Sequence, residues 1–225
     1  MNIQLSDLVN NFTNLMYWNL GATMKLKKYC KDNNWDRLLR IRTAGWDGSN
    51  SDNHHYPYEP TDYPVLERLA ASGHIGKKNT VLDYGSGKGR VGFFLTYQTK
   101  CNYIGVEYDG RIYDAAIDNR NYGIGWKNVD FHFGNAEEYI VPVDVDRCYF
   151  FNPFSVEILS KVLSRILDSY YVHPRKILLF FYYPSDEYIS FLMNTDELFF
   201  FDEIDCSDLF EESNMRERIM IFSID

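Results

Sequence analysis

The sequence predicts an α/β fold built on a doubly wound, mostly parallel sheet, and three observations carry that prediction. A short apolar strand, Val81 and Leu82, ends in Asp83 and passes through alternate glycines, Gly85, Gly87 and Gly89, into the helical apolar spacing of Val91, Phe93, Phe94 and Leu95. Strand-like and helix-like segments then alternate as far as Met193, the pattern of parallel strands joined by crossover helices. Two more strand-like runs, 197–204 and 218–224, close the chain and bring the strand candidates to seven.

With 225 residues and an apolar share of 45%, the chain suffices for one such domain plus an additional segment. The net charge of -9 argues against a protein whose whole surface binds nucleic acid, while leaving room for a local basic patch. The opening residues, Met1 to Gln4, carry no basic stretch followed by an apolar one, and no run approaches the ~20 apolar residues of a membrane span. A soluble, cytoplasmic chain with no membrane partner is expected. The four cysteines, Cys30, Cys101, Cys148 and Cys206, are far apart with no C-x-x-C, so reduced thiols are expected rather than zinc ligands or disulfides.

Taken in order, residues 6–20 read as a helix with Ser6 as N-cap, one apolar stripe and Gly21 as its end. Two further helices follow over 23–33 and 35–43. They carry Lys25, Lys27, Lys28, Lys31, Arg37, Arg40 and Arg42 against Asp32 and Asp36. This block is either a solvated helical surface or a patch that guides an anionic substrate. Residues 1–55 are thus assigned to an N-terminal helical cap and loop, and 56–225 to the sheet domain. The turn formers of 45–60 predict a long loop, with His54 and His55 as polar loop residues rather than metal ligands. Tyr56, Tyr58, Glu59 and Thr61 precede a helix over 62–72, capped by Thr61 and ended by Gly73. This aromatic loop either folds over a ligand as a lid, or its tyrosines pack against the sheet edge.

Beyond the second strand, 103–107, a helix is expected over 111–121 with Ile112, Ala115, Ala116 and Tyr122 facing inward. Strands follow at 129–133 and 147–151, with His132 a surface or packing residue rather than a catalytic base, and then a helix over 156–170. The apolar run 176–182 suits a strand buried on both faces. Pro184, Ser185 and Asp186 open a helix that reaches Met193, and 202–212 reads as an acidic, solvated loop.

The glycine turn lies at a strand's carboxyl end and a helix's amino end, where open α/β sheets bind ligands. A dinucleotide fingerprint counted from Gly85 needs its last glycine at position 90, which is Arg90 here. The pattern is D-x-G-x-G-x-G. A carboxylate at Asp83 repels a pyrophosphate but holds an ammonium. Glu107 ends the second strand a little beyond the roughly 20-residue offset of a ribose-binding acid.

Together these residues resemble motif I of the class I S-adenosylmethionine-dependent methyltransferases. The resemblance implies S-adenosyl-L-methionine as cofactor, held by Tyr58, Thr61, Asp83, Gly85, Ser86, Gly87, Gly89, Glu107, Tyr108, Asn135 and Ala136. Glu107 would take the ribose hydroxyls, and Asn135, where the family often has an acid, would accept from the adenine amine. Asn152-Pro153-Phe154-Ser155 resembles motif IV of amino-directed methyltransferases without its second proline. It implies Asn152 and Phe154 as catalytic residues, one orienting a planar NH2 and the other stacking on the acceptor. The competing reading is that Asn152 and Pro153 only shape the turn.

From about Tyr56 onward the chain resembles small methyltransferases of unassigned substrate, distantly like the non-SET histone-lysine methyltransferases. That implies a seven-stranded sheet with an antiparallel last strand and methyl transfer to a nitrogen of a protein, RNA or small-molecule acceptor. A second reading is a catalytically inactive binder of the cofactor acting through the basic N-terminal helices. A third, a nicotinamide oxidoreductase, is disfavoured by Arg90.

Overall fold

The computed structural model describes residues 34–49, 56–123, 125–211 and 214–225. The helices expected over 6–20 and 23–33, with their lysines and Cys30, lie outside the described residues, as do His54 and His55. Seven strands form one sheet: β1 (Thr80–Tyr84), β2 (Asn102–Glu107), β3 (Val129–Phe133), β4 (Arg147–Phe150), β5 (Ile177–Tyr182), β6 (Phe199–Asp205) and β7 (Arg218–Ile224). Their order is β3-β2-β1-β4-β5-β7-β6. The first five are parallel, and β7 inserts antiparallel between β5 and β6. The helices are α1 (described over 34–39), α2 (Tyr63–Ala71), α3 (Arg90–Thr99), α4 (Gly110–Tyr122), α5 (Val156–Val172) and α6 (Asp186–Met193). The expected α/β architecture, with its antiparallel last strand, is the one observed.

Every residue of β1 and β5 is buried, as parallel strands covered on both faces require. One face packs Leu66, Leu69, Phe93, Phe94, Tyr103 and Phe131 together, and Leu39 and Ile41 of the 34–44 segment join them. The other packs Leu82, Tyr84, Phe150, Phe154 and Phe181 against the α5 stripe of Ile158, Leu159, Val162, Leu163 and Ile166. From β1 the chain moves outward to β2 and β3, then returns to place β4 on the opposite side of β1. This reversal opens a crevice between the carboxyl ends of β1 and β4.

Several boundaries differ from expectation for local reasons. The helix expected over 35–43 is helical only to residue 39, and Arg40 turns left-handed at φ 57°. There the Asp36 carboxylate accepts from the backbone N–H groups of Thr43 and Ala44, at 2.7 and 3.3 Å, folding the chain back. Thr61 does not cap α2. Asp62 stands at the N-cap, and the Thr61 hydroxyl instead shares a buried hydrogen bond of 3.0 Å with the Tyr149 hydroxyl. Tyr122 faces solvent, and Asn119 is buried instead. The acidic stretch expected as a loop begins inside β6, and Cys206 is buried beyond it. Cys101, Cys148 and Cys206 are free and buried. Among the described residues no helix is long and apolar enough to cross a membrane, and no group of three metal-ligating side chains occurs.

Candidate functional site

At the end of β1 the chain bends sharply over β2, because the N–H groups of Gly85 and Ser86 both donate to the Val106 carbonyl, at 2.9 and 3.1 Å. Gly87 has a φ of 58°, and a Cβ there would lie 2.3 Å from the Tyr58 ring, so the turn needs glycine for its conformation and for its neighbour. A Cβ on Gly85 would meet Pro153 at 2.6 Å, which shows how closely the turns after β1 and β4 approach. Gly89, also left-handed, begins α3.

Asp83 and Glu107, on adjacent strands, both line one cleft at this point. Asp83 is 2% exposed, and its Oδ2 accepts from the Tyr103 hydroxyl at 2.5 Å. Burial pushes the Asp83 carboxyl up to about 7; the Tyr103 bond opposes the shift and the Glu107 charge adds to it. Glu107 accepts from the Gly87 N–H at 2.8 Å and the Asp109 N–H at 2.9 Å. Burial raises its pKa too, while backbone bonds from Asp109, Gly87 and Tyr108 pull it back.

Of the residues singled out in the sequence, Tyr58, Thr61, Asp83, Gly85, Ser86, Glu107, Tyr108, Asn135, Ala136, Asn152 and Phe154 line this cleft. Gly87 and Gly89 shape the turn behind it. The Tyr58 ring lies against Gly87 of the turn after the central strand β1, rather than at a sheet edge, and the residue lines the cleft. Asn135 is engaged locally: its Oδ1 accepts from the Glu137 N–H at 3.0 Å, and its Nδ2 donates to the Glu137 carboxylate at 3.1 Å. That leaves one lone pair on Oδ1 for a ligand.

Across the cleft, Asn152 sits beyond β4 with a φ of 39°. Its Nδ2 donates to the Tyr183 carbonyl at 2.5 Å, while its Oδ1 is buried with no hydrogen-bond partner among the described residues. The Ser86 Oγ is in the same condition. Phe154, 4% exposed, stands edge-on to Tyr84 and Phe150, with centroids 6.5 and 6.4 Å away. It forms part of the wall, with its ring held by the core. The Tyr56 N–H donates to the Pro153 carbonyl at 3.3 Å and ties the aromatic loop to this side.

Sequence reasoning missed Arg90, Asp36, Thr43 and Tyr103. Arg90 had a signal, a cation where a fingerprint glycine belongs. Asp36 had a fainter one, as an acid within a basic run. Nothing in the sequence marked Thr43 or Tyr103.

No protein-family model matches this chain, and no curated protein matches it. Solved structures do. An RNA methyltransferase from Salinibacter ruber, in complex with S-adenosyl-L-homocysteine, aligns with a TM-score of 0.51 at 14% identity over 74% of this chain and 94% of its own. A TehB-like SAM-dependent methyltransferase from Corynebacterium glutamicum aligns at 0.52 and 17% identity, over 71% and 88%. The mitomycin 7-O-methyltransferase MmcR aligns at 0.55 and 12% identity, over 72% of this chain and 53% of its own. The chain therefore has the Rossmann-like α/β fold of class I methyltransferases. The finer resemblance to non-SET histone-lysine methyltransferases has no counterpart among these structures.

Proposed function

We propose that this chain is an S-adenosyl-L-methionine-dependent methyltransferase that delivers a methyl group to a nitrogen. The observation that carries this reading is that Asp83 and Glu107 line one cleft, with Asn152, whose Oδ1 has no partner among the described residues, lining its opposite wall. The donor set fits the cofactor. Asp83, whose burial makes a lone negative charge costly, suits an ammonium group, and the remaining acceptor capacity of Glu107 suits ribose hydroxyls. Ser86 Oγ is a further polar atom in want of a partner.

When bound, the cofactor supplies an electrophilic methyl carbon on a sulfonium that is already a good leaving group. The protein's task is then chiefly to set a near-attack geometry. Asn152 Oδ1 accepts an N–H of the acceptor and so turns the nitrogen lone pair into the cleft. The Nδ2 bond to Tyr183 holds the amide in that orientation. Phe154 closes the wall beside it and excludes water.

Calorimetric titration with S-adenosylmethionine, S-adenosylhomocysteine and NAD tests the cofactor, with binding of the first two and not the third expected. Radiolabelled methyl transfer to fractionated lysate separates an enzyme from an inactive binder. If Asn152→Ala leaves a detected transfer rate within a few-fold, the amine-orienting role fails.

A further inference from the structure

We infer that Arg90 is a positioning residue for the cofactor pocket, acting through Thr43 and Tyr58 on the glycine turn and Glu107. This rests on the reading of the cleft as a cofactor site. It also joins residues 36–47 to that site, although the sequence alone groups them with a separate cap.

Arg90 is 1% exposed at the first turn of α3, where the helix macrodipole disfavours a cation and burial disfavours any charge. Its guanidinium is therefore held by surrounding groups. Nε donates to the Thr43 Oγ1 at 2.8 Å, and Nη1 to the Thr61 carbonyl at 3.3 Å. Nη2 lies 4.0 Å from an Asp36 oxygen, and the planar group stacks 4.5 Å from the Tyr63 ring centre. Asp36 is fully engaged in turn. It takes the Thr43 hydroxyl at 2.7 Å, the Thr43 and Ala44 N–H groups and the Tyr63 hydroxyl. Thr43 Oγ1 thus accepts from Arg90 and donates to Asp36, and the whole residue is fixed.

What Thr43 holds is the cleft wall. Its carbonyl accepts the Tyr58 hydroxyl at 2.6 Å, and the Tyr58 backbone is bridged to Asp47 by bonds of 2.8 and 3.1 Å. The ring so placed rests on Gly87, whose N–H is bonded to Glu107 at 2.8 Å. A second clamp closes the same loop. Asn119 receives the Arg42 N–H at 2.8 Å and donates to the carbonyls of Arg42 and Lys88 at 3.3 and 3.0 Å. A shift of Thr43 therefore moves Tyr58, then the glycine turn, then the carboxylate assigned to the ribose. A staple that merely held 36–47 on the sheet would lower stability and leave ligand affinity alone.

Removing Arg90 outright risks the fold, so the test uses conservative variants of the full chain. These are Thr43→Val, which deletes the hydroxyl between Arg90 and Asp36, Tyr58→Phe, which deletes the bond to the Thr43 carbonyl, and their combination. S-adenosylhomocysteine is the calorimetric probe, at a temperature well below each unfolding midpoint. Each single variant is expected to weaken binding about fivefold, the scale of one net hydrogen bond. The pair should be no weaker than the poorer single variant, because both cut one chain of contacts. Affinities within twofold of the parent, or losses that multiply in the double variant, overturn the inference and leave the cofactor reading standing. Failure of the parent chain to bind the probe overturns both.

Discussion

The two walls of the cleft are built on opposite principles. On the β1 and β2 side the unusual backbone angles fall on Gly85, Gly87 and Gly89, which adopt them without penalty, and Glu107 is held by backbone N–H groups. On the β4 and β5 side the left-handed angles fall on Asn152, at 39°, and Tyr183, at 51°, and one buried amide oxygen is left without a protein partner. Strain of this kind persists only where surrounding structure enforces it. The first wall keeps an unstrained backbone, although it buries the Asp83 carboxyl and the Ser86 Oγ. The second stores strain in its backbone, which suits the acceptor-aiming role proposed for Asn152.

The largest effects should expose that asymmetry. Arg90→Met leaves the buried Asp36 without its cation and should lower stability by about 3–5 kcal/mol in urea unfolding. Asn152→Gly relieves a left-handed angle while losing one hydrogen bond, so stability should stay within about 1 kcal/mol of the parent. Methyl transfer by the same variant should fall about a hundredfold, the scale of a misplaced reactant. If Asn152→Gly destabilises as much as Arg90→Met, the contrast between the walls is wrong.

A smaller effect sharpens the first wall. Asp83 is buried and its carboxyl is raised to about 7, so between its unfolded value of about 3.9 and 7 the folded chain binds more proton than the unfolded one. For this group, stability of the ligand-free protein is greatest below about pH 4 and is lost as pH rises toward 7. Cofactor binding runs the other way, because an ammonium needs the ionised carboxylate. S-adenosylhomocysteine affinity should therefore fall about tenfold per unit as pH drops below 7 and level off above it. Asp83→Asn should bind weakly and lose that slope. A parent profile flat from pH 5 to 8 would remove Asp83 as the ammonium partner.

The same contrast explains what the sequence could and could not say. Glycines at alternate positions after an apolar strand, and an acid at the end of the next, are local signals, because each stands out within its own short stretch of chain. The glycine turn and the two strand-end acids were therefore legible, as were the strands as short apolar runs, while Tyr103, which bonds Asp83, was not. Arg90 meets Asp36 and Thr43 only after folding, across dozens of residues, and no local pattern records such a meeting. Thr61 misled for a related reason: a hydroxyl just before a helix reads as a cap, but tertiary packing turned it toward Tyr149. Phe154 reads in the sequence as a ring free to stack on an acceptor, while its edge-on packing against Tyr84 and Phe150 depends on how β1 and β4 come together.

The smallest effect should come from Asn135, which lines the cleft but belongs to neither wall's machinery. Both ends of its amide are already bonded to Glu137, so the Glu137 N–H and carboxylate fix its orientation before any ligand arrives. Asn135→Ala removes that turn and should reduce stability by about 0.5–1.5 kcal/mol, the usual net worth of such bonds. Its Oδ1 can offer a ligand only one remaining lone pair at an angle set by Glu137, so S-adenosylhomocysteine affinity should weaken by no more than about threefold. A loss beyond about tenfold, the effect of a hydrogen bond to a charged or fully desolvated partner, would mean that the loop after β3 recognises the ligand as strongly as the β2 end does. The wall with the unstrained backbone would then extend across three strands rather than two.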